Sequence, residues 1–71
     1  MKQTSQAIIA DILTKQRRAK GLTQAELAAR AGMNRSTIGR IESNSFMPSI
    51  EQLQSLAGAL EIDVTVHGLQ L

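Results

Sequence analysis

Apolar residues recur along this chain with the period of an α-helix in four places. From Gln6 to Lys20, Ile9, Leu13 and Arg17 fall at i, i+4 and i+8, with Ile8 and Ile12 alongside. Gly21 stops that helix, because glycine enters the left-handed conformation freely. Thr23-Gln24-Ala25-Glu26 reads as a capping box and opens a second helix running to Ala31, with Leu27, Ala28 and Ala31 inward. Gly32 ends it. Asn34 is placed to cap a third helix, Arg35 to Ser43, whose inward residues are Ile38 and Ile41. Asn44 suits a left-handed stop. After the connector Ser45-Phe46-Met47-Pro48, a second capping box, Ser49-Ile50-Glu51-Gln52, opens a helix that runs to about Glu61. Its repeat is Ile50, Leu53, Leu56, Ala57 and Leu60.

The period changes in the tail. Val64 and Val66 alternate with Thr65 and His67 as in a strand, and Gly68 shifts the parity so that Leu69 and Leu71 fall on the other alternation. The expected organisation is a flexible N-terminus (1–5), one helical domain (6–62) and a tail (63–71). A two-valine strand is not stable alone. The tail is therefore either a strand that pairs with its copy in a second chain, through Val64, Val66, Leu69 and Leu71, or a terminus packed loosely on the last helix.

Composition narrows the class. With 71 residues the chain buries only a modest core, which raises the weight of a partner or of self-association. Phe46 is the one aromatic residue, so the core is aliphatic, which suits helices, and stacking on single-stranded nucleic acid is disfavoured. The chain has no cysteine, which agrees with a cytoplasmic location and leaves neither a disulfide framework nor a thiolate metal site. No apolar run reaches the length of a membrane span, and Asp11 interrupts the short apolar stretch near the N-terminus, so no secretory signal is read there.

Charge changes the picture more. The net charge is only +2, but all eight Lys and Arg lie within residues 1–40, against Asp11 and Glu26 alone. Residues 41–71 hold four acids and no Lys or Arg. Such asymmetry suits a basic face for a polyanion and an acidic end turned away from it.

Two short helices separated by about three residues must cross steeply, and the crossing needs small residues where the backbones meet. Ala28 and Gly32 supply them. The segment LTQAELAARAGMNRSTIGRIE, with the later Pro-Ser-Ile-x-x-Leu, resembles the helix-turn-helix of phage repressors and Cro proteins, the Xre-type family. The resemblance covers Ile9 to Ile62. It implies an all-α, compact bundle of four to five short helices; the strand-like tail, a candidate C-terminal β-strand for dimerisation, departs from the family pattern, where many relatives continue in helix.

A helix with a polar N-terminal face and an apolar opposite face can enter the major groove of B-DNA, its first turn closest to the base edges. On that expectation Arg35, Ser36, Thr37 and Arg40 read bases, and Asn34 both caps the helix and touches the DNA backbone. The resemblance assigns Gln24, at the start of the preceding helix, to phosphate. It also joins Arg17 and Glu42 in a shielded ion pair. The loop Ser43-Asn44-Ser45 lacks the glycine and basic residues frequent in relatives, which leaves Asn44 and Ser45 as phosphate donors. Gly39 is unusual, since a mid-helix glycine costs about 1 kcal/mol relative to alanine.

Nothing points to catalysis. His67 is the one histidine, there is no Cys nucleophile, no Gly-rich phosphate loop and no metal-ligand cluster. No cofactor is expected. The expected partners are double-stranded DNA carrying an inverted repeat, and a second copy of the chain as a homodimer. The expected function is a sequence-specific transcription regulator of the repressor kind. The alternative is an antitoxin that binds a toxin protein and represses its own promoter, since similar tails occur in antitoxins.

Overall fold

A computed structural model describes residues 4–62. Within them the chain forms four helices, α1 (Ser5–Ala19), α2 (Gln24–Ala31), α3 (Arg35–Glu42) and α4 (Ile50–Leu60). There is no fifth helix and no strand among the described residues. The tail, with Val64, Val66, Leu69 and Leu71, lies outside them.

Three helices start on side-chain caps. The Thr4 hydroxyl accepts from the Ala7 amide at 3.1 Å. Thr23 and Glu26 form a reciprocal capping box, as do Ser49 and Gln52. The sequence places Thr4 and Ser5 in a flexible N-terminus; in the structure they are the cap and the first residue of α1.

All four helices end the same way. Each stops at a left-handed residue, Gly21 (φ 70°), Gly32 (φ 67°), Asn44 (φ 63°) or Glu61 (φ 58°). The next residue then donates its amide to a carbonyl five positions back: Leu22 to Arg17, Met33 to Ala28, Ser45 to Arg40 and Ile62 to Ala57, at 2.8–3.1 Å. This is the Schellman arrangement, which satisfies carbonyls the helix leaves orphaned. It also throws an apolar residue back onto the core at three of the four ends. Leu22 is buried, and Met33 and Ile62 pack against the buried cluster.

That cluster joins Leu13, Leu22, Leu27, Ala28, Ile38, Ile41, Leu56 and Leu60, one or more from each helix. Leu27, Ile38 and Ile41 are completely shielded from solvent. Fully burying a side chain of this size stabilises by about 1.5–3 kcal/mol. Because Ile38 and Ile41 are anchored there, the opposite face of α3 is forced outward.

Three isoleucines stand in solvent, of which Ile50 alone departs from the inward repeat of the sequence. Ile8, Ile12 and Ile50 are 43%, 47% and 58% exposed. The first helix turns Ile9, Ala10 and Leu13 inward, and Ile8 and Ile12, each one position before a residue of that stripe, fall on its outer side. Ile50 is the first residue of α4 and stands clear of the packed layer.

Candidate nucleic-acid interface

The outward face of α3 carries Arg35, Ser36, Gly39, Arg40 and Ser43, spaced so that they share one side of the helix. Arg35, Ser36, Arg40 and Ser43 are exposed; Gly39, within the face, is half-buried beneath its neighbours, and Thr37 is half-buried at the margin. The one acid of the helix, Glu42, points inward, so this face carries positive charge without an opposing carboxylate of its own. Neither Arg35 nor Arg40 takes part in an ion pair among the described residues.

The start of α3 differs from the other three. Asn34 occupies the cap position in extended backbone, but its side chain makes no capping bond. The expected Asn34 cap is therefore absent as a hydrogen bond; only the backbone conformation is in place. The first turn holds no acid and begins with Arg35. A cation beside the positive end of a helix dipole is locally unfavourable, and an uncapped end leaves amides free. Both features suit an end that meets anionic groups from outside.

Behind this face lies a shielded polar knot. Arg17 Nε donates to Glu42 Oε2 at 2.7 Å and Nη2 donates to Oε1 at 3.0 Å, a two-pronged contact between α1 and α3. Arg17 Nη1 donates to the Leu22 carbonyl at 2.8 Å. The two side chains are only 12% and 7% exposed. Burial pushes the Glu42 carboxyl up, but hydrogen bonds from Arg17 and Gln24, with the guanidinium charge, outweigh it and hold the group below the usual carboxylate range. The hydrogen bond to Glu42 raises Arg17 in turn, against its own burial. No buried side-chain polar atom lacks a partner among the described residues.

Gln24 belongs to this knot. Its Nε2 donates to Glu42 Oε1 at 3.2 Å. The resemblance assigns Gln24 to phosphate; in the fold its side chain is half-buried and bridges α2 to α3. What the position leaves for an external anion is the second N–H of Nε2 and the main-chain amide in the first turn of α2. The Leu22 carbonyl was not foreseen at all; no residue type signals that a main-chain oxygen will meet an arginine five positions earlier. Asn44 and Ser45 are exposed, as a solvent-facing loop requires, but both are engaged: the Asn44 carbonyl accepts from Gln6 Nε2 at 2.7 Å, and the Ser45 hydroxyl pairs with that of Ser43 at 2.9 Å. The carbonyl bond takes no donor from Asn44, whose side-chain amide stays open to a phosphate, while the Ser45 hydroxyl is shared with Ser43.

Comparison with known proteins addresses the arrangement as a whole. The model of the helix-turn-helix family matches residues 13–66, which spans α2, α3 and α4 entirely. The chain belongs to the helix-turn-helix family. Within that family it is 41% identical over 49 residues to the immunity repressor protein of Bacillus phage phi105, a match covering 69% of this chain and 34% of the repressor. The chain thus spans about a third of the length of that curated relative. Among solved structures, this helix-turn-helix chain is similar to the restriction-modification controller protein C.AhdI from Aeromonas hydrophila, with 34% identity and a TM-score of 0.79 over 82% of this chain and 88% of that one. It is also similar to the controller protein C.Esp1396I, seen as a tetramer in complex with its natural 35 base-pair operator. There the identity is 28% and the TM-score 0.82, over 89% of this chain and 83% of that one.

Proposed function

We propose that this helix-turn-helix chain is a sequence-specific, double-stranded DNA-binding transcription regulator that acts as a repressor. It binds as a dimer, with α3 in the major groove. The observation that carries the reading is the acid-free outward face of α3, Arg35-Ser36-Arg40, backed by the fully buried Ile38 and Ile41. The likeness to a phage immunity repressor and to a controller protein bound to its operator supports it.

In this reading Arg35, Ser36, Arg40 and the marginal Thr37 read base edges. Arginine suits guanine, to which it donates two hydrogen bonds at O6 and N7, and the Thr37 methyl suits thymine. Asn34, Asn44, Ser45 and the first-turn amide of Gln24 hold the phosphates. The Arg17–Glu42 pair, braced by Gln24, fixes the angle at which α3 is presented, and neither Arg17 nor Glu42 contacts DNA. The chemistry is recognition, with no catalytic step and no cofactor.

The test is selection of bound sites from a random duplex pool with the intact protein and Arg35→Ala in parallel, at one salt concentration. An enriched inverted repeat supports a dimeric reader. Relaxed preference at one base pair per half-site in the variant, with a loss of about 1–3 kcal/mol, assigns Arg35 to that base. Absence of any enriched motif with the intact protein removes the reading. The antitoxin alternative then gains weight, and Ile8 and Ile12, exposed one turn apart on α1, favour a protein partner for it.

A further inference from the structure

Glycine weakens a helix interior relative to alanine, and α3 is poorly placed to carry one. It has eight residues and no side-chain cap, and Arg35 opposes its dipole. Gly39 nevertheless sits in its middle. Three internal reasons could require a glycine in a helix. Backbone conformation is not one, because Gly39 is helical, whereas Gly21 and Gly32 are left-handed. Steric exclusion by the protein's own packing is not one either. A Cβ at position 39 would meet Gln24 Oε1 at 3.8 Å, ordinary van der Waals contact, and no other atom within 4 Å. A need for helix breaking is excluded, since the Ser43 amide bonds the Gly39 carbonyl at 3.0 Å and the helix continues through it. The protein alone would accept alanine.

The position supplies an external reason. Gly39 lies between Ser36 and Arg35 on one side and Arg40 and Ser43 on the other, along the face assigned to DNA. Long side chains flank it while the centre of the face is bare main chain. Gln24 stands beside it with its amide nitrogen turned to Glu42 and its oxygen turned to the Gly39 Cβ direction. We propose that Gly39 is a close-approach point, where double-stranded DNA packs directly against the α3 main chain and a side chain would hold it off. The proposal rests on the reading of α3 as the groove-entering helix and adds a specificity-determining residue to it. Two DNA surfaces have the required bulk, a thymine methyl on the groove floor and the sugar–phosphate edge.

Gly58 is the internal control. It too is a helical glycine, in α4, with open space around its Cβ position, and it is not on the α3 face. Melting temperature and affinity for the selected duplex are measured at one salt concentration for the intact chain, Gly39→Ala and Gly58→Ala. The expected result is that both variants melt several degrees higher, that Gly58→Ala binds like the intact chain, and that Gly39→Ala binds tenfold or more weakly. Uracil is then placed for thymine across each half-site. If deleting one methyl restores the Gly39→Ala affinity towards that of the intact chain, the DNA surface is that methyl; if no such change does so, it is the sugar–phosphate edge. Equal affinity of Gly39→Ala and the intact chain overturns the proposal while leaving the DNA-binding reading standing. A lowered melting temperature for Gly39→Ala also overturns it, since the glycine would then serve the fold. Failure of the intact chain to bind any duplex overturns both.

Discussion

Arg17 and Glu42 meet through two hydrogen bonds, the shorter at 2.7 Å, and so tie the first helix to the end of the third. They are almost fully shielded, and the contact is completed by Gln24 and the Leu22 carbonyl. Removing one member leaves the other charge buried and unpaired, which costs about 3–5 kcal/mol. Glu42→Ala is therefore expected to lower the melting temperature far more than Glu51→Ala, a change in an exposed residue at the start of α4. Thermal denaturation of the two variants side by side decides the matter. Equal losses would show that the pair contributes nothing beyond a surface charge.

The same contact makes stability depend on pH in a defined direction. Glu42 is held below the usual carboxylate range in the folded chain, while in the unfolded chain it titrates near about 4.3. A depressed carboxyl stabilises the fold fully above its unfolded pKa and loses that contribution as pH falls through the folded one. Stability should thus be level with respect to Glu42 at neutral pH and decline below about pH 4 to 5. Denaturant titrations across that range should show a shallower acid decline for Glu42→Gln than for the intact chain. An identical acid limb would mean that Glu42 does not drive it.

The helix ends show how much could be read from residue types and where reading stopped. Gly21, Gly32 and Asn44 are residues that tolerate the left-handed region, and each marked its stop in the sequence. Glu61 adopts the same conformation without any such preference, held by the Ile62 amide on the Ala57 carbonyl and by Ile62 packing on the core. A long-range contact, invisible to local preference, fixed it. The strain of a β-carbon there is about 1–2 kcal/mol. Glu61→Gly is expected to recover about 1 kcal/mol, partly offset by the greater freedom of glycine in the unfolded chain. A rise of several degrees in melting temperature would confirm the strain; a fall would show that unfolded-state entropy outweighs it.

The apolar periodicity located every helix, and α3's inward pair, Ile38 and Ile41, followed directly from it. The Ile9–Leu13–Arg17 stripe also faces inward as its spacing indicates, with Ile8 and Ile12 beside it in solvent. Ile50 departs from the pattern, because the repeat does not show that the first residue of α4 lies beyond the packed layer. For the candidate site, residue types pointed to Arg35, Ser36 and Arg40, but not to the hydrogen bond from Gln24 to Glu42, eighteen positions away.

Dimerisation through Val64, Val66, Leu69 and Leu71 is a separate expectation. A chain cut after Ile62 keeps the whole buried cluster and should stay folded. If the tail joins two copies, the shortened chain should run at monomer mass in sedimentation while the intact chain runs at twice its own. It should also lose affinity for an inverted repeat more than for a single half-site. The same oligomeric state for both chains would remove the tail from the interface.

The uncapped start of α3 offers a test of the balance between folding and recognition. Asn34→Asp keeps a residue of equal capping quality and adds a negative charge beside free amides at the positive end of the helix. That charge also lies next to Arg35. The gain should be about 0.3–1 kcal/mol at low ionic strength and should shrink with added salt. If Asn34 faces a phosphate, the same charge repels the DNA, so the variant should fold more stably and bind its duplex more weakly, most of all at low salt. Fluorescence anisotropy at two salt concentrations, alongside melting curves, separates the two effects. A variant that is stabilised yet binds as well as the intact chain would place Asn34 outside the interface, and the groove-facing surface of α3 would then begin at Arg35.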